Sequence, residues 1–494
     1  MRGRAGQGLM AAVGVGLAVL LATGCVQPTP SPVPSQTPSE PPVFTIGTAQ
    51  KVASTDPAVI TRDVDAIIGT SVYQRLMRIQ PGSRELKPDA ATDCIFTSSQ
   101  VYECTLPDGL KFHNGDSLTA SDVRFSIQRA LRMDSTGAVI GLFDSLESIL
   151  VPDATTVRFR LSYPDSQFGY ALAALSASIV NETSYDPDVP LELDALPNGS
   201  GPYKVTKIEE DVVSFRLFED YLGPLVGDIS EMRLIQLADS VAAEAAMEAG
   251  KVDVVWRTLE DSALARLVSN ANATPKPDHE YTRVPLPGGR VNLLAWNPGS
   301  KYRQNKTLRE GIAAALQSDR TLDSLVPLGV DGHHSSFPVG GRPKLPKLKS
   351  RVNLRLSYDP TAPGHADLAR LLRDRLEQVS SLSVRVVTSG DADLFLTDHL
   401  PWIDTALGWL QYYLSAPLAD STDLLSAQEQ RYRSGTESER ALALNALQSQ
   451  AALDLTVLPI SQTDGVLVVR AGVALVGEPM GAGGQLGLWG IRDE

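Results

Sequence analysis

Two spacings of apolar residues alternate along this chain. Val157-Arg-Phe-Arg-Leu161 and Val212-Val-Ser-Phe-Arg-Leu-Phe218 change between apolar and polar at every step, the pattern of strands buried on one face. Between residues 119 and 132 the spacing lengthens. Val123, Ile127, Ala130 and Leu131 fall at i, i+4, i+7 and i+8, while Arg124, Gln128, Arg129 and Arg132 mostly take other faces, which predicts an amphipathic helix. Thr119-Ala-Ser-Asp122 supplies its start, because a threonine hydroxyl and a carboxylate three residues on can satisfy backbone donors that a helix leaves free.

The same two spacings recur along the body. Strands are predicted at 44–48, 157–161, 212–218, 232–237 and 252–256, with meandering strands over 94–113, and helices at 64–76, 119–132 and 240–249. The second half repeats this with strands at 291–296, 352–358, 384–387 and 393–396, helices at 307–317, 366–379 and 437–455, and closing strands at 457–460 and 466–469. Residues 331–350 are a loop rich in Pro, Gly and Lys. Strand, helix, strand order throughout predicts an α/β protein of two lobes joined near 285–295, with the last forty residues returning to the first lobe. A cleft between lobes is where a ligand is expected.

The stretch Leu110-Lys-Phe-His-Asn-Gly-Asp-Ser117 puts His113, Asp116 and Ser117 close together, as a hydrolytic site would. Each has a structural explanation: Asn114-Gly115 suits a tight turn with φ > 0 at both central positions, and the helix start follows. His113 is therefore read as a structural residue. No Gly-x-Ser-x-Gly elbow or His-Glu-x-x-His pair occurs, and Gly481-Ala-Gly-Gly-Gln-Leu-Gly487 lacks the dinucleotide-binding spacing. His333-His334 lacks further ligands of the kind zinc needs and is expected to be exposed. Neither an enzyme, a metal site nor a cofactor is expected.

With 494 residues, 43% hydrophobic and 21% charged, the chain has the composition of a globular protein long enough for two or three cores. Its formal charge of -14 and lack of a basic patch exclude nucleic acid as the expected partner. The N-terminus adds a compartment. A basic start, the apolar run 9–22 and Leu21-Ala-Thr-Gly-Cys25 predict an export signal over 1–25 that ends like a lipobox, with Cys25 as the acylated residue. Residues 26–43 hold seven prolines and almost no large apolar side chains, so they form an extended tether of roughly 50 Å. Of the remaining cysteines, Cys94 and Cys104 face each other if the chain reverses at 98–100, with Phe96 opposite Tyr102; a disulfide is expected there.

Several stretches resemble the family 5 extracellular solute-binding proteins, the peptide and nickel receptors of ABC importers. The most specific is residues 110–131, followed by Val72-Tyr-Gln-Arg-Leu76 with Leu86-Lys-Pro88, Gly199-Ser-Gly-Pro-Tyr-Lys-Val205, Ala249-Gly-Lys-Val-Asp-Val254, Leu308–Leu316 and Leu458-Pro-Ile-Ser461, all in the family's order. The resemblance implies a two-lobed periplasmic-binding-protein type fold (class II, the large family 5 variant with an extra subdomain in the first lobe). It divides the chain into lobe I at 44–288, including a subdomain at about 74–198, lobe II at 289–455 and a return to lobe I at 456–494. It implies capture of a solute, first of all a dipeptide or oligopeptide, and delivery to an ABC permease and ATPase complex by a monomer held outside the cytoplasm by the lipid on Cys25. A nickel chelate, sugar or opine, or a sensing role, are the alternatives on the same fold.

Members that bind peptides clamp the α-amino group with an aspartate near a Trp and an Ala-Asp-Tyr motif, and this chain departs from that motif over 393–413. Alignment on Trp409 puts Tyr412 at the aspartate's place; alignment on the strand at 393–396 puts Trp402 and Asp404 just past the strand end, which is preferred. His399, Trp402 and Asp404 are therefore candidate ligand contacts, joined by Tyr73, Trp256 and Asn297 at other element ends.

Overall fold

The computed structural model describes residues 43–493, apart from residues 61, 81–83, 134–140, 271–279, 389, 402, 478 and 482. The expected signal segment, Cys25 and nearly all of the tether lie outside the described residues. Lobe I opens with β1 (Phe44–Thr48), α1 (Asp63–Val72), β2 (Met77–Ile79), β3 (Leu86–Pro88), β4 (Asp93–Ser98), β5 (Val101–Thr105) and α2 (Ala120–Met133). It continues through β6 (Leu146–Leu150), β7 (Thr156–Leu161), the short α3 (Phe168–Ala171), β8 (Tyr203–Glu209), β9 (Val212–Leu217) and β10 (Glu231–Gln236). Then come α4 (Ser240–Glu248), β11 (Val254–Trp256), α5 (Asp261–Asn270) and the long β12 (Tyr281–Trp296). Lobe II holds α6 (Lys306–Leu316), β13 (Val352–Tyr358), α7 (His365–Leu376), β14 (Leu382–Val387), β15 (Leu394–His399), α8 (Ala406–Leu414), α9 (Thr422–Ser434) and α10 (Glu437–Asp454). The chain closes with β16 (Val457–Arg470), β17 (Val473–Leu475) and β18 (Ile491–Asp493).

Ten of these strands form one mixed sheet in the order β14-β13-β15-β12-β16-β11-β1-β10-β9-β8. The two sides of that order are the two lobes. β1 runs parallel to β10 and β11 on one side, and β13 runs parallel to β14 and β15 on the other. Between them β12 and β16 run antiparallel and cross from one lobe to the other, paired from Tyr281↔Arg470 to Ala295↔Val457. Their register shifts between Leu286 and Arg290 and again between Asn292 and Leu293. Strand ends in such a sheet face a common crevice, which fixes where to look for a site.

Separate apolar clusters fill the lobes. Ile46, Val64, Ile67, Trp256 and Leu467 belong to the lobe I core; Leu294, Ile312, Leu356, Leu372 and Leu447 belong to the lobe II core. A four-stranded sheet, β4-β5-β7-β6, covers α2 and has its own cluster around Phe112, Ile127, Phe159 and Phe168. Within it Cys94 pairs with Cys104 as a disulfide and Phe96 sits opposite Tyr102, ring centroids 4.6 Å apart.

Four local expectations need correction. The helix expected to reach residue 76 stops at Val72, because the backbone of Gly199-Ser-Gly201 packs on its end: Gly201 donates to the Val72 carbonyl at 2.8 Å, and a side chain at either glycine would strike the backbone of 71–73. The reversal after Phe112 has positive φ only at Gly115 (φ 92°), with Gly115 N–H donating to the Phe112 carbonyl and Phe112 N–H to the Asp116 carbonyl, both at 2.9 Å. It is a longer turn than the two-residue type. The closing strands at 457–460 and 466–469 are one strand, β16, since Ser461, Gln462, Thr463 and Gly465 keep their backbone pairing with β12. His333 and His334 are half-buried rather than exposed, and His333 sits 3.2 Å from the Asp323 carboxylate.

Candidate functional site

The crossing strands make the floor of a cleft of about 450 Å³. Lobe I contributes Arg257, Thr258 and Asp261, which follow β11; lobe II contributes Pro363, Gly364 and His365, where the loop after β13 turns into α7; the floor itself carries Arg283, Arg290, Asn292, Thr463 and Asp464. Residues of this kind converge because parallel strands end there, leaving loops and helix starts to face one another across the gap.

Two polar groups on the floor tie it to lobe II. Arg290 gives Nε to Asp398 at 3.0 Å and Nη2 to the Pro363 carbonyl at 2.8 Å, so a guanidinium on the crossing strand holds the loop of lobe II. Asn292 bridges Ser461 Oγ at 3.1 Å and the His365 ring at 3.0 Å. That bond uses His365 Nε2, while the buried Nδ1 has no hydrogen-bond partner among the described residues. Burial pulls the imidazole pKa down, so the ring is neutral near pH 7 and Nδ1 is an acceptor when Nε2 donates to the Asn292 amide oxygen. Arg283 is exposed and makes no ion pair with any described residue. Arg257 lies with φ at 42°, its guanidinium 3.4 Å from Asp63 and 5.1 Å over the Trp256 ring. Burial raises the Asp63 carboxyl above the usual range, with Arg257 opposing the shift.

Contacts at several places among the described residues join the lobes. Glu260 of lobe I accepts the Gly364 N–H at 2.9 Å, at the start of α7, where Gly364 (φ 75°) provides no side-chain cap. Arg84, at the tip of the β2–β3 hairpin, donates Nε to Asp404 at 2.9 Å and Nη1 to the Gly329 carbonyl at 2.6 Å. Arg433 on α9 reaches Asp165 at 3.0 Å and the Gly141 carbonyl at 2.7 Å.

The residues singled out from the sequence fall in different places. Tyr73 is buried, its hydroxyl bonded to Thr55 O at 2.8 Å and Tyr185 Oη at 2.7 Å, and Trp256 is buried with Nε1 on Asp63 at 2.9 Å. Both pack in the lobe I core instead of facing the cleft, because apolar α1 covers that face of β1 and β11. Asn297 spends its amide on the Ala392 carbonyl and on Gly299 N–H, holding the turn after β12, and does not line the cleft. His399 closes β15, buried between Trp409 and Tyr412. Trp402 lies outside the described residues. Asp404 keeps a half-exposed carboxylate, but Arg84 and Trp409 Nε1 (2.8 Å) already hold it. Sequence reasoning passed over Arg257, Arg283, Arg290, Glu260 and His365. For Arg283 and Arg290 the available signal was polar residues interrupting an otherwise apolar crossing strand; Arg257, Glu260 and His365 lie in a loop and at a helix start, where apolar spacing gives no signal.

This topology and cleft are those of a two-lobed solute-binding fold. The model of bacterial extracellular solute-binding proteins, family 5, matches residues 85–364, and the chain belongs to that family. Among curated relatives, the glutathione-binding protein GsiB of Pectobacterium atrosepticum is 22% identical over 340 residues, 67% of this chain and 60% of that protein. The probable D,D-dipeptide-binding periplasmic protein DdpA of Escherichia coli is 33% identical over 144 residues, 28% of each chain. This chain thus spans from about a quarter to three fifths of the length of such relatives. Among solved structures, the A. tumefaciens R10 protein AgaA in complex with agropinic acid superposes with a TM-score of 0.79 at 18% identity, covering 92% of this chain and 99% of that one. A dipeptide-binding protein from Pseudoalteromonas sp. SM9913 in complex with Met-Leu gives 0.75 at 17%, covering 91% and 100%.

Proposed function

We propose that this protein is an extracytoplasmic receptor that captures a short peptide in the interlobe cleft and passes it, without covalent chemistry, to an ABC permease and ATPase complex. The observation that carries this reading is the cleft itself: polar groups from both lobes and from the crossing strands converge on one cavity of about 450 Å³. A ligand touching both lobes stabilises closure because it makes all its contacts only in that state. The relatives whose names mention glutathione or dipeptides support a peptide as the solute class. In this reading Asp404, which is not among the residues lining that cleft, is the candidate partner of the peptide α-amino group, and the group must displace Arg84 to reach it. His399 contributes by fixing the wall behind the strand end, and Trp402 remains a candidate contact. A lipid on Cys25 and the tether would hold the monomer at the outer face of the cell membrane.

Native mass spectrometry of protein purified without denaturation tests the reading. A carried-over mass in the range of a di- to pentapeptide supports it; a carried-over oligosaccharide or metal chelate would overturn the peptide assignment.

A further inference from the structure

We infer that residues 342–351, at the outer end of lobe II, are a docking surface for an anionic phospholipid bilayer. The receptor reading supplies only the membrane at which the protein stands; the surface itself follows from the residues. This stretch belongs to the loop that the sequence marks as rich in Pro, Gly and Lys, and it forms neither helix nor strand. Arg342, Lys344, Lys347, Lys349 and Arg351 are all exposed, and no carboxylate falls between them. None of the five makes an ion pair or a side-chain hydrogen bond with a described residue. Between them Pro343, Leu345, Pro346 and Leu348 turn inward and are half-buried. Leu345 and Leu348 pack against the lobe II core, and Pro346 lies so close over Gly311 of α6 that a side chain there would meet its ring at 3.1 Å. Two prolines keep the backbone extended and the apolar side chains fasten it down, so the cations form a fixed line on the surface. The sequence has no consecutive run of cations here, and a basic patch is not expected from it; the patch arises because the apolar residues of the stretch turn the other way.

Charge elsewhere in the chain sets this line apart. At a formal charge of -14 the molecule as a whole is repelled by an anionic surface, and only a group of cations without counter-ions can draw it in. Residues 297–400 hold 15 Lys and Arg against 11 Asp and Glu, so this part of lobe II is the basic region of an acidic chain. The five cations follow one another at steps of two or three residues, with no aromatic side chain among them. A lipid surface meets such a line whatever its spacing, because its headgroups diffuse to the charges, whereas an acidic protein face would have to match it group by group. Clusters of about four to eight Lys and Arg are the size that anionic lipid retains. Position is the second argument. Arg351 leads straight into β13, where Val352 N–H bonds the Ser381 carbonyl at 2.8 Å at the start of β13 and β14; the cleft residues Pro363, Gly364 and His365 follow the other end of β13. Roughly 20 Å of strand separates the two, and lipid held at the basic line leaves the cleft uncovered. Phe44, where the chain enters β1, is likewise at the end of its lobe away from the cleft, since β1 runs parallel to β11. A lipid anchor on the tether and the basic line would thus hold the two outer ends, with the cleft between them.

The test floats the whole purified protein with vesicles of phosphatidylcholine alone and of phosphatidylcholine with about one third phosphatidylglycerol, at about 50 and about 500 mM salt. Neutral vesicles account for any binding through the apolar N-terminal segment. The parent is expected to bind anionic vesicles at least tenfold more tightly than neutral ones at low salt and less than twofold more tightly at high salt. Lys344→Gln, Lys347→Gln and Lys349→Gln combined should weaken anionic binding at least fivefold. Lys51→Gln, Lys251→Gln and Lys306→Gln combined, an equal charge change at exposed sites elsewhere, should keep it within twofold. All six lysines are exposed, and melting curves check that both variants fold. Equal binding to the two kinds of vesicle, or an equal loss in the two triple variants, would overturn the inference. So would salt-sensitive self-association in sedimentation, abolished by the first triple variant and unaccompanied by vesicle binding, which would make the partner an acidic face of a second copy. None of these results bears on the carried-over solute, whose identity tests the receptor reading separately.

Discussion

His399 sits at the end of β15 with its ring centroid 5.5 Å from that of Trp409 and 5.1 Å from that of Tyr412, and its buried Nε2 has no partner among the described residues. Burial lowers its pKa to about 4 from an ordinary 6.5. A native pKa below the unfolded one means that the unfolded chain binds the proton more readily, so the stability this neutral ring contributes is present above pH 6.5 and fades as pH falls toward 4. His399→Phe removes that dependence. Urea melts should show the variant gaining on the parent by on the order of 2 kcal/mol between pH 7 and pH 5, at about 1.4 kcal/mol per pH unit; parallel curves would mean that the ring does not titrate as described. His113, also shifted to about 4, behaves with the same sign, and Asp65, raised to about 6, with the opposite one. His113 itself bonds Gly201 O at 3.0 Å and packs edge-on against Phe218, away from the cleft. His113→Ala should therefore lower stability by about 1–3 kcal/mol and leave solute affinity within twofold in calorimetry. These residues also show what composition of the chain could not reveal: Tyr73 and Trp256 stand at element ends, as a binding aromatic would, but which face of an element is covered depends on a partner distant in sequence.

Among elements, the β2–β3 hairpin has the most to do with closure. Its Arg84 makes a clasp on Asp404 and Gly329, with both side chains a quarter to a third exposed. Water and salt weaken such a pair to about 1 kcal/mol or less, enough to change an open-to-closed ratio by up to about fivefold. Arg84→Ala should raise the radius of gyration of the solute-free protein in small-angle scattering and leave the solute-bound value unchanged; no difference in either state would rule the clasp out. In the hairpin β4–β5 the pairs Cys94–Cys104 and Phe96–Tyr102 were legible from strand period, but not the tip: the strand runs on to Ser98, which pairs with Val101 across a register shift at Thr97, so the reversal is shorter than the expected 98–100. Reduction of that disulfide, or Cys104→Ser, should cost about 2–3 kcal/mol in the four-stranded sheet's protection from hydrogen exchange. Helices α5, α8 and α9 were not legible. Trp409, Leu410 and Tyr413 make α8 apolar on most sides, and Thr422–Ser434 is polar enough to read as loop until Leu425 and Arg433 are seen to be buried.

At the scale of the whole molecule, the two lobes meet through charges of different depth. Arg433 and Asp165 are both fully buried, and Ser145 and Gly141 complete their hydrogen bonds. Arg433→Met would leave Asp165 buried and unpaired, and denaturant melts should show a loss of about 3–5 kcal/mol, far more than any exposed pair at the cleft rim. Fold class could be read from the sequence because spacing of apolar residues is a local property; the cleft could not, because it is assembled from strand ends and loops that only the sheet order brings together.

The two register shifts in the crossing ribbon, at Leu286/Arg290 and Asn292/Leu293, bracket Arg290 and Asn292 of the cleft floor, with Arg283 lying before the first. Bending of paired strands concentrates where the ladder is already broken. The pivot on which the lobes turn and the groups that a solute would touch are then a single stretch of chain. A substitution there changes the rate at which the jaws open along with the strength of the grip. Residence time and equilibrium affinity should consequently move together in variants of Arg290 and Asn292, and separately in variants of Arg84, which holds the lobes from outside the pivot.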